Sequence, residues 1–140
     1  MACMVVLPAG ASETLTGNDV KFLNDVTKEG LPLLTSIPDI MKEGFFNGTD
    51  SSVATISQEE SDALNAFSLK INEYTLSDEI TPVRDQVNAS VDVFKKDLTE
   101  YATLVNTCGS CVHTMNEMYP RLLEEVNKTN TIVSQFNQTA

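Results

Sequence analysis

Tryptophan is absent from the chain, histidine occurs once, and basic residues are scarce. Only 9 Lys and Arg stand against 20 Asp and Glu, so the formal net charge is -11. A protein that binds nucleic acid neutralises phosphates with Lys and Arg, and this chain has no basic run that could do so. An anionic membrane surface repels such a chain for the same reason. We therefore expect no nucleic-acid partner.

Long hydrophobic runs and catalytic motifs are missing as well. No run reaches about 18 apolar residues, the length that indicates a transmembrane helix, so no membrane span is predicted. The single histidine, His113, is not accompanied by a nucleophile motif such as G-x-S-x-G. P-loop, GxGxxG and HExxH motifs do not occur. These absences favour a protein that is not an enzyme and that holds no cofactor.

Apolar residues make up 41% of the chain, and many recur three and four positions apart, the spacing of one helix face. This spacing predicts a first helix over about residues 17–45, kinked near Pro32 and Pro38 because proline removes a helical hydrogen bond. The sequence Ser57-Gln-Glu-Glu60 is typical of a capping box and predicts the start of a second helix, which ends near Leu76. Thr81-Pro82 is a typical start for a third helix.

From Val87 to Phe136 the apolar spacing is regular throughout, and two interpretations fit it. One is a single helix of about 55 residues, which would make the chain a self-associating structural coiled-coil protein. The other is two helices joined at residues 106–110. Gly109 and Pro120 lie inside the regular stretch, which favours the break. The predicted fold is therefore all-α, a four-helix up-down-up-down bundle.

The N-terminal segment and four glycosylation motifs point to export. Residues 1–11 are apolar and end in Ala9-Gly10-Ala11, which matches the pattern that signal peptidase cuts, although the segment is short and lacks a basic start. We interpret 1–11 as the remnant of a signal peptide and 12–140 as a single helical-bundle domain. The four N-x-[ST] motifs predict a glycoprotein that is secreted or attached to the cell surface. They begin at Asn47, Asn88, Asn127 and Asn137.

One cluster in the sequence could carry chemistry. Within eleven residues lie two of the three cysteines, the only histidine and two methionines: Cys108, Cys111, His113, Met115 and Met118. On a helix the two cysteines and the two methionines share one face. Four interpretations stay open: a Cys108–Cys111 disulfide, buried thiols with methionines as core filler, a soft-metal site for copper(I), and a redox-active CxxC.

A c-type haem does not fit this cluster. Some four-helix cytochromes attach haem through a CxxCH motif in their last helix, and the layout of this chain is similar. Val112, however, separates Cys111 from His113, so the histidine is out of register for the haem iron.

Two segments, 22–41 and 80–87 with its helix, resemble small uncharacterised extracytoplasmic helical-bundle proteins of methanogenic archaea. They read FLNDVTKEGLPLLTSIPDIM and ITPVRDQV. The architecture is also similar to four-helix extracytoplasmic sensor domains of membrane receptors. The resemblance covers about half of the chain and implies an exported helical bundle. It assigns a role to no individual residue.

Taken together, these patterns predict an exported, non-enzymatic binding or interaction module of the cell exterior. Its ligand is either an unknown protein or a small apolar molecule held between the helices, near the kinked first helix. A homo-oligomer is a further option. The main alternative is a copper or redox protein that uses the face formed by Cys108, Cys111, Met115 and Met118.

Overall fold

The computed structural model describes residues 15–137, and this part of the chain consists of helices and their connections, without a β-strand. The elements are, in chain order, α1 (Gly17–Asp25), a π-helical turn (Val26–Gly30), α2 (Leu31–Asn47), α3 (Asp50–Asn72), α4 (Thr81–Tyr101) and α5 (Gly109–Asn137). The all-α prediction is confirmed. None of the helices in the described region has the length and hydrophobicity needed to cross a membrane.

Four helical rods form the bundle. The first rod is continuous from Gly17 to Asn47 and comprises α1, the π turn and α2. Each rod packs against the next one in the sequence, and α2 also packs against α5, which closes the ring. Short connections between neighbouring helices favour antiparallel packing. This set of neighbours is the one that an up-down-up-down bundle requires.

The core between the rods is mainly aliphatic, with a few aromatic rings, and its largest fully buried side chains include Tyr101, Phe22, Phe45 and Phe94. Because a buried hydroxyl without a partner costs free energy, Tyr101 needs an acceptor. It donates a hydrogen bond of 2.7 Å to the backbone carbonyl of Met41. This bond attaches the end of α4 to the middle of α2.

The first rod changes its helical type close to the predicted kink. The π turn Val26–Gly30 comes directly before Leu31 and Pro32, whereas Pro38 lies inside α2 without interrupting it. Gly30 allows a close approach between rods here. A Cβ at this position would overlap the ring of Phe67 on α3.

The predicted start of the second long helix is wrong. Helix α3 begins at Asp50, seven residues before Ser57, and is capped by Thr49, whose hydroxyl accepts a hydrogen bond from the amide of Ser52. Ser57 lies inside the helix and is buried. Its hydroxyl donates to the carbonyl of Leu98 on α4, 2.8 Å away, so it stabilises helix packing rather than a helix start.

The third and fourth rods show whether Val87–Phe136 forms one helix or two. Helix α4 ends at Tyr101 and α5 begins at Gly109, so the interpretation as two helices is confirmed and the single long helix is wrong. The chain leaves the helical path earlier than predicted, at residues 102–108 rather than 106–110. A coiled coil built on one continuous apolar seam is therefore excluded.

Candidate disulfide site at the start of helix α5

The connection between α4 and α5 places two cysteines at the start of α5. Residues 102–108 make two tight turns, closed by hydrogen bonds from the amide of Leu104 to the carbonyl of Tyr101 and from the amide of Cys108 to the carbonyl of Val105. Leu104 is buried in the core and anchors the connection. These bonds fix where Cys108 stands relative to the helix that follows it.

Cys108 occupies the position of an N-cap residue. Its carbonyl accepts the amide of Val112, which is the first bond of α5. Its sulfur accepts the amide of Cys111 over 3.2 Å and lies 3.2 Å from the hydroxyl of Ser110. Side chains that cap helices usually use an oxygen for this bond to the third helical residue. The sulfur therefore sits where the helix exposes its free amides.

The two cysteine sulfurs lie together at this position. They are 2.50 Å apart, and the two Cα atoms are 5.1 Å apart. Disulfides usually join residues whose Cα atoms are roughly 4.4–6.8 Å apart. Both residues are partly exposed, so oxidants and reductants can reach them. The backbone thus permits a Cys108–Cys111 disulfide.

The other members of the predicted cluster have different surroundings. Met115 and Met118 are 0% exposed and belong to the core, and the partly buried Cys111 packs against that core. His113 points to solvent and pairs with Glu117, its Nε2 lying 3.2 Å from Oε2. Within residues 15–137, no group of three or more His, Cys, Asp or Glu is arranged to hold a metal ion. A copper site here would have to draw on methionine sulfur inside the core.

The predicted glycosylation sites also differ in their surroundings. Asn47 is exposed at the end of α2, Asn127 is exposed on α5, and Asn88 is partly buried on α4. Asn137 is the last residue of α5, and its side chain lies outside the described part of the chain. The predicted signal-peptide remnant, residues 1–11, lies outside it too.

Polar side chains that the sequence patterns did not single out join α4 to α5. The hydroxyls of Ser90 and Thr129 are 2.7 Å apart and both residues are 0% exposed. Ser90 also donates to Oε1 of Glu125 at 3.2 Å and accepts from the amide of Gln86 at 3.0 Å. The one signal in the sequence was Thr129, which occupies a position in the apolar stripe of α5.

An ion pair joins the same two helices. The guanidinium of Arg121 donates from Nη2 and Nε to the two carboxylate oxygens of Asp97, at 3.0 and 3.2 Å. Asp97 is only 4% exposed. Burial raises the pKa of this carboxyl, and Arg121 offsets part of that rise.

Open grooves lie on both sides of the C-terminal half of α2. One, of about 580 Å³, runs between α2 and α3, and another, of about 410 Å³, runs between α2 and α5. Asp39 and Glu43 line both grooves. Sites for small apolar ligands are usually enclosed and mostly apolar. These two grooves are instead open to solvent, and charged side chains line both, with Lys42 beside Asp39 and Glu43 in the smaller one.

Comparison of the chain with protein-family models, with curated proteins and with solved structures gives no match. The helical bundle that the resemblance implied is present, while its attribution to extracytoplasmic archaeal proteins rests on the sequence pattern alone. The observations that bear on function are therefore the cysteine pair, the polar network between α4 and α5, and the open grooves beside α2.

Proposed function

We propose that this chain is an exported, non-enzymatic binding or interaction module of the cell exterior. The observation that carries the proposal is the pair of partly exposed cysteines at the start of α5, Cys108 and Cys111, whose Cα atoms are 5.1 Å apart, a separation typical of disulfides. Disulfides persist in oxidising compartments and are rare in the cytosol, where thiols are kept reduced. A bridged pair at the surface is therefore expected of a protein that works outside the cytosol.

The C-terminal half of α2 is the surface best suited to a partner. Ile40 and Phe46 are 36% and 38% exposed, and they border the grooves between α2 and α3 and between α2 and α5 respectively. Asp39 and Glu43 lie next to both. Apolar contacts supply binding energy while acidic groups select a partner of opposite charge. A protein that presents Lys or Arg fits this surface better than a small apolar ligand does.

Export is tested by alkylating the protein from its native host before and after reduction, followed by intact-mass measurement. A chain cleaved after Ala11 keeps only Cys108 and Cys111. We expect no alkylation without reductant and a mass about 2 Da below that of the reduced chain, because a disulfide lacks two hydrogens. A full-length chain in the cytosolic fraction that alkylates at all three cysteines contradicts the proposal.

The partner surface is tested with a photo-crosslinking residue placed at position 40 or 46 in the native host. The control is the same residue at Leu69, which is 71% exposed on α3 and lies outside both grooves. We expect a defined protein adduct from positions 40 and 46 that weakens with salt, and none from position 69. Adducts only from position 69, or from none of the three, contradict the proposed surface.

A redox or copper protein is the second candidate, and the capping position of the Cys108 sulfur favours it. The free amides of a helix start stabilise negative charge on a sulfur atom, which aids both thiol exchange and soft-metal binding. The test is titration of the reduced chain with copper(I) and with a glutathione redox buffer. Stoichiometric copper that is lost in both Cys108→Ser/Cys111→Ser and Met115→Leu/Met118→Leu supports the metal site. Loss in the cysteine variant alone indicates simple thiol binding.

A further inference from the structure

We propose that Asn47 is the one acceptor among Asn47, Asn88 and Asn127 that an N-glycosylating enzyme can use once the chain has folded. The inference builds on the proposed export, since glycosylation occurs on exported chains. The three motifs are equivalent in the sequence but differ in accessibility in the structure. The difference lies in the surroundings of two groups in each motif. One is the asparagine that receives the sugar, and the other is the hydroxyl two residues later by which the enzyme selects the motif.

In the Asn88 motif the asparagine is engaged by a neighbour and the hydroxyl is buried. Its Nδ2, the atom that would receive the sugar, donates a hydrogen bond of 2.9 Å to Oδ1 of Asn72 on α3. Asn72 returns a bond of 3.1 Å to Oδ1 of Asn88, so the two amides form a closed pair. The hydroxyl of the motif belongs to Ser90, which is 0% exposed. The amide pair lies at the surface and opens by side-chain rotation, but an enzyme could not reach the Ser90 hydroxyl without separating α4 from α5.

The Asn127 motif is inaccessible only because its hydroxyl is buried. The asparagine is exposed on α5, but the hydroxyl of its motif belongs to Thr129, which is 0% exposed and lies 2.7 Å from Ser90. The hydroxyls of the Asn88 and Asn127 motifs therefore bond to each other inside the α4–α5 interface. One buried contact blocks two motifs at once.

Asn47 has the opposite surroundings. It is the last residue of α2 and is exposed, and Thr49 is exposed as well. Between α2 and α3 the backbone is extended, with φ -103° and ψ -154° at Gly48 and φ -119° and ψ 171° at Thr49. An extended segment can enter an enzyme's binding groove, whereas a helix hides its own backbone groups. The Thr49 hydroxyl caps α3, and this surface bond is lost easily by local fraying.

The transfer requires a lipid-pyrophosphate-linked oligosaccharide as its donor. The bond between the anomeric carbon of the sugar and the pyrophosphate oxygen breaks, and the lipid pyrophosphate leaves with that electron pair. Nδ2 of Asn47 forms the new bond to the anomeric carbon and releases one proton. No group is oxidised or reduced.

The test uses the purified folded chain with Asn137→Gln, incubated with an oligosaccharyltransferase and this donor. Mass spectrometry of the proteolytic peptides gives the glycan occupancy at each asparagine. Synthetic peptides that span each motif measure the intrinsic preference of the enzyme, and occupancies are divided by those rates. We expect Asn47 to be modified at least roughly tenfold faster than Asn88 or Asn127, because the latter two require local opening of the bundle.

Two leucines of α5 provide a matched pair of variants. Leu122 is 0% exposed and its neighbour Leu123 is 40% exposed. Leu122→Ala weakens the packing of α5 and should raise occupancy at Asn127 while leaving Asn47 unchanged. Leu123→Ala should change neither. Circular dichroism establishes that both variants remain helical.

The results separate this proposal from the proposed function. Equal normalised rates at the three asparagines, an unmodified Asn47 whose peptide is accepted, or no rise at Asn127 in Leu122→Ala overturns the acceptor assignment. These measurements depend on the fold and not on export. If the purified chain is modified at Asn47 alone while protein from the native host is full-length, cytosolic and free of disulfide, the acceptor assignment holds and the proposed export fails.

Discussion

The connections before and after α4 are held in place by different kinds of interaction. Residues 73–80, between α3 and α4, are tied to distant parts of the chain: the amide of Ser77 donates to Oδ1 of Asp19 at 2.9 Å, and Arg84 donates to the carbonyl of Tyr74 at 2.6 Å. Residues 102–108, between α4 and α5, rely on turns among near neighbours and on the pair Cys108–Cys111. One connection depends on polar bonds to other helices, and the other on local turns, the cysteine pair and the buried side chain of Leu104.

Because of this difference, the two connections respond to different solution conditions. Asp19 is 0% exposed and accepts hydrogen bonds from the start of its own helix and from the far connection, so its charge state matters to both. The cysteine pair responds to reductant instead. One end of α4 is therefore held by a carboxylate that acid protonates. The other end is held by a disulfide that a reductant breaks.

The largest expected effect is that of Asp19→Ala, which removes the tie at residues 73–80. The amides of Ser77 and Thr16 both lose their acceptor, while the cap from the amide at position 19 to the Thr16 hydroxyl remains. Loss of these two bonds to a carboxylate destabilises the protein by about 3 kcal/mol. Urea unfolding measures the change. Asp19→Asn keeps one acceptor oxygen and should lose less. Wild-type stability in both variants would refute the role of Asp19.

Removal of the other tie should cost less. Cys108→Ser/Cys111→Ser, or reduction of the wild type, should lower the free energy of unfolding by about 2 kcal/mol, because the bridge closes a loop of only a few residues. Thermal unfolding with and without reductant measures this. The same loss is expected in the Asp19→Ala background, since the two connections lie at opposite ends of α4. An unfolding midpoint that ignores reductant contradicts a bridged pair.

Acid should weaken the connection at 73–80 selectively. Burial raises the pKa of Asp19, but the hydrogen bonds from Ser77 and Thr16 lower it more, so it lies below the ordinary value of 3.8. A carboxyl whose pKa is lower in the folded state stabilises the fold at pH above its unfolded value, and this stabilisation is lost as the pH falls through the folded value. Stability measured below about pH 4 should therefore fall more steeply in the wild type than in Asp19→Asn. Equal slopes of stability against pH in the wild type and in Asp19→Asn would contradict this prediction.

The smallest effect is expected for Asn18→Ala. Asn18 also reaches the connection at 73–80, through a bond of 3.3 Å from Nδ2 to the carbonyl of Thr75, but this bond is exposed to water. Surface substitutions of this kind change stability by less than about 0.5 kcal/mol. Urea unfolding beside Asp19→Ala makes the comparison. A loss of stability as large as that of Asp19→Ala would show that Asn18, rather than Asp19, holds this connection in place.

Helix positions could be predicted from the sequence where the signal was periodic. The apolar stripe located the first rod, because burial of one helix face leaves a pattern every three to four residues. The same stripe ran unbroken through the division between α4 and α5, which was indicated by Gly109 instead. Local motifs were less reliable. Ser57-x-x-Glu60 matches a capping box but lies within α3, while the true cap, Thr49 with Ser52, lacks the Glu or Gln that the usual pattern requires.

The candidate site could be predicted only where its partners are close in the sequence. A spacing of three residues is enough to bring Cys108 and Cys111 together at a helix start. The bonds between Ser90 and Thr129 and between Asp19 and Ser77 join residues 39 and 58 positions apart. No local pattern encodes such pairs, because they depend on how the rods pack. The Thr16-x-x-Asp19 capping box was not predicted either, because it too lacks the usual Glu or Gln, and its link to Ser77 depends on packing.

The π turn Val26–Gly30 lets the first rod hold one residue more than a uniform α-helix would. The five residues of a π turn advance the chain about as far around the helix axis as four residues of an α-helix, so the extra residue is absorbed and α1 keeps its rotational position. Deleting one residue between 26 and 30 should therefore leave a uniform α-helix in which Asp19 still faces Ser77. At this turn the chain can change its length without separating a carboxylate from a partner 58 positions away.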